Sequence, residues 1–236
     1  MGKIGVPLTF EEMQLGNLEV VVFELGLAMT NTYLLGDPDT KRAVVIDPAW
    51  DGEQIARAAM DRDWQISAIW LTHGHFDHFG GVSGVVNSTD THVPVALHPQ
   101  DRPLWLNHGG ASFFGIQDFD PGPEPSIDLE NGMELVLGDY RFEVRHTPGH
   151  SPGHVIFVSA ELGAVFCGDL IFSGSVGRAD LPGGDWNTLV KSIVEEILVL
   201  PDETRLLAGH GPPTTVGQER QTNPFITGEI QKSDFI

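Results

Sequence analysis

Apolar residues near the start of the chain fall into short runs separated by turn formers. LEVVVFEL (Leu18 to Leu25), TYLLG (Thr32 to Gly36) and RAVVIDP (Arg42 to Pro48) each read as a strand, and DPDT (Asp37 to Thr40) reads as a hairpin connection. A helical stretch, EQIARAAMDR, leads to a further strand, ISAIWLT, which ends at Thr72. Strands and helices then alternate: FGGVSGVVNS (Phe79 to Ser88) reads as a helix and VPVALH as a short strand. Between His108 and Ser126 the periodicity disappears. That segment is rich in Gly and Pro, is long for a loop inside a compact domain, and carries Phe113, Phe114 and Phe119. It reads either as a lid over something apolar or as an irregular crossover.

The second half resumes with the strands MELVLG, YRFEVRH, HVIFVSA and GAVFCGD. DWNTLVKSIVEEILVL is the clearest helix, with Asp185 as N-cap and Pro201 as its stop. Leu189, Ile193 and Ile197, with Val190, Val194 and Leu198, predict one apolar stripe along it. TRLLAG is a last strand before a polar tail. Each half thus runs several strands and then a helix. This predicts an α/β protein of two β-rich halves packed together with helices outside, in a single domain spanning residues 1–236.

Composition narrows the partners. Of 236 residues, 41% are hydrophobic and 19% charged, an ordinary globular balance. Thirteen Lys+Arg against 33 Asp+Glu leave a net charge of -20, which disfavours nucleic acid and anionic membranes. No apolar run approaches the roughly 20 residues that span a bilayer. The N-terminus lacks an apolar signal core, and Val6 misses the Ser/Thr of a myristoylation site. Cys167 is the single cysteine, so no intrachain disulfide is possible. Together these predict a soluble cytoplasmic protein.

The chemistry is concentrated in LTHGHFDHFGG, Leu71 to Gly81, which places His73, His75, Asp77 and His78 at the end of an apolar strand. Such a cluster can supply two ligands to each of two neighbouring metals. The competing reading, a surface His tract or a set of hydrogen-bonding core histidines, is weaker, because burying several unpaired titratable groups is costly. Three more residues recur in one context, an apolar run, then Gly, then a ligand type: His150 in HTPGHSPGH, Asp169 in FCGDL and His210 in LLAGHGP. Strand ends on one rim of a sheet converge in space.

H-x-H-x-D-H followed by a lone His, a lone Asp and a final His resembles the metallo-β-lactamase superfamily, over about Leu18 to Phe225. GSVGRADLPGGD (Gly174 to Asp185) and GQERQTNPF resemble its glyoxalase II-like hydrolases, particularly their short bacterial branch. The resemblance implies a four-layer αβ/βα sandwich of two mixed sheets with helices on both outer faces. It implies one metal on His73, His75 and His150, a second on Asp77, His78 and His210, and Asp169 bridging the two. Mixed imidazole and carboxylate ligands suit zinc, and also iron or manganese. It further implies an activated water attacking an acyl carbon, with Asp77 available as a proton acceptor and a thioester as the natural substrate, since a thiolate leaves without a proton. Arg178 falls where the family has a basic residue near the substrate, while the tyrosine expected two positions later is Asp180 here. The chain ends soon after NPF, so the extra C-terminal helical domain of full-length glyoxalase II enzymes is not expected.

The remaining candidates take structural roles on this reading. Cys167, inside a strand pattern, is a small core residue. His92, His98, His108 and His146 match no motif position. His154 is expected to support the site through a hydrogen bond, and Asp47 either orients a ligand, as in the superfamily, or simply forms a turn. Competing functions are a mono-iron persulfide dioxygenase using His73, His150 and Asp169, a promiscuous esterase or lactonase, and a metal-stabilised binding module. Closed structural zinc sites favour cysteine and four ligands, which seven N/O donors on separate segments do not resemble.

Overall fold

The computed structural model describes residues 10–89, 91–116 and 119–229. The readings of the N-terminal leader and Val6 fall outside them. The first sheet takes its strands in chain order: β1 (Phe10–Leu15), β2 (Leu18–Leu25), β3 (Thr30–Gly36), β4 (Arg42–Ile46), β5 (Gln65–Trp70), β6 (Val95–Leu97) and β7 (Ile127–Asp128). Its first half is an antiparallel meander, and from β4 onward the pairing is parallel. The second sheet is ordered β15-β14-β11-β10-β9-β8, built from β8 (Glu134–Leu137), β9 (Tyr140–His146), β10 (Val155–Ser159), β11 (Ala164–Gly168), β14 (Arg205–Ala208) and β15 (Thr214–Thr215). β12 (Ile171–Phe172) and β13 (Ser175–Val176) form a small ribbon of their own. β11 and β14 are parallel, so this sheet is mixed as well.

Three apolar layers hold the two sheets and their helices together. Val20, Leu35, Val44 and Trp70 of the first sheet face Phe142, Val144, Phe157 and Phe166 of the second, forming the central core. The outer face of the first sheet, with Val21, Leu34, Val45 and Ile69, is covered by α1 (Gly52–Met60), α3 (Val82–Asn87) and Trp105 of α4 (Arg102–Leu106). On the far side Leu189 of α5 (Trp186–Ser192) packs with Ile193 and Ile197 onto Ile156, Val165 and Leu206. The fold is the expected αβ/βα sandwich of two mixed sheets. Because strand side chains alternate, nearly every position of β3, β10 and β11 is buried on one face or the other. Cys167 lies in the outer core of the second sheet, where burial pushes its thiol far above the ordinary range.

Four local expectations need correction. β1 is missing from the sequence reading because FEEMQL is a mostly exposed edge strand, paired along its length to β2. The single helix expected over 79–88 is two: α2 (Phe76–Phe79), which takes in Asp77 and His78, and α3. Gly80 and Gly81 break it because the chain passes too close to residues 48–50. A Cβ on Gly80 would lie 2.6 Å from the Ala49 carbonyl oxygen. The final helix ends in a π-type turn over Ile193–Ile197, which leaves Val194 exposed rather than on the apolar stripe. The irregular segment after His108 holds short 3₁₀ turns through Phe114. Phe119 turns inward onto Phe79 and Trp50. Among the described residues no helix is long and apolar enough to cross a membrane.

Candidate metal centre

The strand ends that deliver the site lie on one rim of the sandwich. β9, β11 and β14 run in the same direction in the second sheet, and each is followed at its C-terminal end by a site residue: His150, Asp169 and His210. His73 and His75 follow β5 of the first sheet, and Asp77 and His78 sit in the first turn of α2. The structure brings all seven predicted donors together. Nδ1 of His75 is 2.8 Å from Nε2 of His150, which is 3.1 Å from Nε2 of His73. His78 Nε2 lies 3.3 Å from Asp169 Oδ1, and His210 Nε2 is 3.6 Å from Asp77 Oδ2 and 3.5 Å from Asp169 Oδ2. Donor atoms of His73, His75 and His150 group within 4.8 Å, as do those of Asp77, His78 and His210, with Asp169 between.

Outer hydrogen bonds fix which nitrogen of each ring faces inward. His78 Nδ1 is tied to Asp47 Oδ2 at 2.9 Å, His150 Nδ1 to the Arg178 carbonyl at 2.7 Å, and His210 Nδ1 to the Ala28 carbonyl at 3.1 Å. His73 Nδ1 meets Thr72 Oγ1 at 3.0 Å, and that hydroxyl donates to Asp47 Oδ2 at 2.6 Å. In all four rings Nε2 is left to point at the centre. Such partners set tautomer and orientation in metal-binding histidines. Asp47 therefore does what both readings asked. It turns the chain with φ at 49° and orients a ring.

His154 lies behind the cluster, its ring centroid 5.2 Å from that of His73. Its Nε2 accepts from the Asp169 backbone N–H at 3.1 Å and its Nδ1 pairs with Thr147 Oγ1 at 2.8 Å, so it steadies the backbone that carries Asp169. His98 and His146 stack on each other with centroids 4.2 Å apart, away from the centre. Two residues escape the sequence reading. Asp101, fully buried, accepts from Gly74 N–H at 2.9 Å, Ser151 hydroxyl at 2.6 Å and Gly153 N–H at 2.6 Å, lashing the His73–His75 loop to the His150 loop. Thr72 is the other. No local signal marks either: Asp101 acts through partners distant in sequence, and Thr72 links its neighbour His73 to the distant Asp47.

Electrostatically the centre is poised to receive cations. Burial, with the neighbouring imidazole of His150, pushes His75 down to about 3, and burial also pushes His73 well down, so both rings are neutral and free to ligate. Burial alone would lower His78 as well, but Asp169, Asp77 and Asp47 outweigh it and hold that ring well above its usual range. Asp169 answers in kind: burial would raise it, yet His78 and His210 keep it well below the usual carboxylate value. His78 Nε2 and Asp169 Oδ1 are nonetheless buried without a hydrogen-bond partner, and unsatisfied buried polar atoms are rare in a folded chain. Gly209 leaves them room, since a Cβ there would fall 2.3 Å from Asp169 Oδ1. A hard or borderline cation between these atoms satisfies both, and the donor set suits one.

The centre opens into a cavity of about 730 Å³. Leu27, Leu104, Phe113, Phe114, Ile116 and Phe172 make its walls largely apolar, so two of the three phenylalanines of the irregular segment do cover an apolar space. Arg178 also lines it, and its guanidinium is held by Asp180.

A convergent imidazole and carboxylate centre at the mouth of such a cavity, on the rim of an αβ/βα sandwich, puts the protein among the metal-dependent hydrolases. Its family is then plain: the model of the metallo-beta-lactamase superfamily matches residues 25–210, and the chain belongs to that superfamily. It is 34% identical over 200 residues to the hydroxyacylglutathione hydrolase GloC of Haemophilus influenzae, covering 84% of this chain and 93% of that one. Among solved structures it is similar to BLEG-1 B3 metallo-beta-lactamase, with a TM-score of 0.81 and 38% identity over 93% of this chain and 100% of that one. It is also similar to TTHA1623 in a di-iron-bound form, with a TM-score of 0.76 and 44% identity over 86% of this chain and 98% of that one.

Proposed function

We propose that this protein is a dinuclear metal-dependent acyl thioester hydrolase. In this reading His73, His75 and His150 hold one divalent ion, Asp77, His78 and His210 hold a second, and Asp169 serves both. The observation that carries it is the pair of buried, unpartnered atoms, His78 Nε2 and Asp169 Oδ1, within a convergence of seven donors. Divalent ions bound there would supply an activated water and a Lewis acid for the acyl carbonyl. Asp77, whose Oδ2 is reached by the Thr30 hydroxyl at 3.4 Å, would be the proton acceptor for that water. The apolar cavity wall holds the acyl portion and excludes bulk water. Arg178 stands on the same wall as the basic group nearest the substrate. Zinc, iron and manganese all fit the donors, and the similar TTHA1623 has a di-iron-bound form, which keeps iron among the candidates.

The 34% identity to a hydroxyacylglutathione hydrolase supports a thioester as the substrate, with S-lactoylglutathione the benchmark against which other acyl thioesters are compared. A cytoplasmic setting agrees with the one cysteine being reduced and buried. A mono-iron persulfide dioxygenase would use only His73, His150 and Asp169, and would leave Asp77, His78 and His210 converged on nothing. Protein loaded separately with zinc, iron and manganese should release free thiol from an acyl thioester, with esters and lactones cleaved more slowly. Failure of every loaded form to cleave any thioester would overturn the reading. Oxygen consumption with glutathione persulfide would put the dioxygenase in its place.

A further inference from the structure

Among the described residues that line the cavity, Arg178 is the one Lys or Arg. Its positive charge is already spoken for within the chain. Nε and Nη2 donate to Asp180 Oδ1 and Oδ2 at 2.7 and 2.8 Å, a two-pronged pairing that matches the planar guanidinium to both carboxylate oxygens. Arg178 in turn holds the Asp180 carboxyl below the usual range, so the pair is fully ionised and electrically neutral at physiological pH. The partner is two residues away on the same loop, and any outside carboxylate must compete with one that is permanently tethered.

The remaining surroundings outside the centre offer an anion no partner. Leu27 at the cavity mouth is 92% exposed and Phe113 is 68% exposed, so the approach is apolar on two sides. The other carboxylates in the cavity, Asp77 and Asp169, belong to the metal centre on the reading above, and the protein as a whole carries -20. Among the described residues of the cavity an anionic substrate therefore meets no free cation outside the centre itself, while an apolar one finds complementary walls.

We infer that the site, on the thioesterase reading above, takes acyl thioesters with an apolar acyl group and an uncharged thiol portion. Asp180 sets that preference by occupying the Arg178 fork. Asp180 is thus a specificity-determining residue, and removing it exposes a cation that would recognise a carboxylate.

Two thioesters sharing a hexanoyl group test this, one on N-acetylcysteamine, which is neutral, and one on 3-mercaptopropionate, which carries a carboxylate. The full metal-loaded chain should show the higher kcat/KM on the neutral thioester. In both Asp180→Asn and Asp180→Ala the anionic-to-neutral ratio should rise about three- to tenfold, the range expected for freeing one solvent-accessible charged partner. Adding Arg178→Ala to either variant should return the ratio to its starting value. The uncleavable thioether analogues of the two compounds, titrated calorimetrically, should show the same change in the ratio of their Kd values. A ratio that stays put in the Asp180 variants, or a wild-type chain that prefers the anion, overturns the inference while leaving the thioesterase reading intact. Cleavage of neither compound by protein that cleaves S-lactoylglutathione also overturns the inference alone, and cleavage of no thioester at all overturns both.

Discussion

Replacing Asp47 by Asn changes one atom in the hydrogen-bond system behind the centre, and the geometry fixes its effect. The carboxylate accepts three bonds: Thr72 N–H on Oδ1 at 2.8 Å, and the Thr72 hydroxyl and His78 Nδ1–H on Oδ2 at 2.6 and 2.9 Å. The backbone N–H cannot reverse, so the amide oxygen of the introduced side chain must stay with it and the NH₂ group must face Thr72 and His78. A donor facing His78 Nδ1 forces the neutral ring to carry its proton on Nε2, the atom that points at Asp169 and would ligate metal. The disturbance passes through the Thr72 hydroxyl toward His73 Nδ1 as well. Loss of such an orienting partner weakens metal binding by about 10–100-fold. That is about 1.4–2.8 kcal/mol per affected ion. The assay is zinc titration of the metal-free chain in competition with a chromogenic chelator, which resolves two binding steps. The step assigned to Asp77, His78 and His210 should weaken by that amount, and the other by less. Asp47→Asn protein that takes up both ions with wild-type affinity would refute the assignment of the His78 tautomer to Asp47.

Three further outcomes are expected. Asp101→Ala leaves Gly74 N–H, Gly153 N–H and the Ser151 hydroxyl without their acceptor, and should cost about 3–5 kcal/mol in denaturant unfolding together with weaker metal uptake at the His73, His75 and His150 set. A stability loss below about 1 kcal/mol would show that the two loops hold themselves. Asp169→Ala should bring thioester turnover to background and lower the metal content, because the shared carboxylate is gone; retained turnover would remove Asp169 from the centre. Cys167 should resist thiol reagents in the folded protein and react fully once unfolded, given its burial and raised thiol. Rapid labelling of native protein would contradict its place in the core.

Most of the architecture could be read along the chain because its strands are buried and self-announcing. LEVVVFEL, RAVVIDP and GAVFCGD are apolar runs closed by turn formers, and they became β2, β4 and β11. Contacts between distant segments decided the parts that could not be read. The break at Gly80 and Gly81 exists because another stretch of backbone passes there. β1 is a strand only because β2 offers it an edge, and its own FEEMQL pattern is ambiguous. The site divides in the same way. The donor residues stand out locally, crowded after β5 or isolated after a strand and a glycine. Asp101 looks like any loop acid in HPQDRP, and its role appears only when residues 27 and 50 positions away come to its carboxylate. Arg178 and Asp180 were visible as residue types. Their closed two-pronged pairing was not, because in an irregular loop the local geometry decides whether i and i+2 side chains meet.

Seven side chains closing around two cations is the claim on which the rest depends. Crystals of the zinc-loaded chain, with anomalous scattering measured on both sides of the zinc edge, test it most directly. Two peaks per chain are expected, one bounded by His73, His75 and His150 and the other by Asp77, His78 and His210, with Asp169 reaching both. A single peak, or none within that ring under zinc-replete conditions, would contradict it.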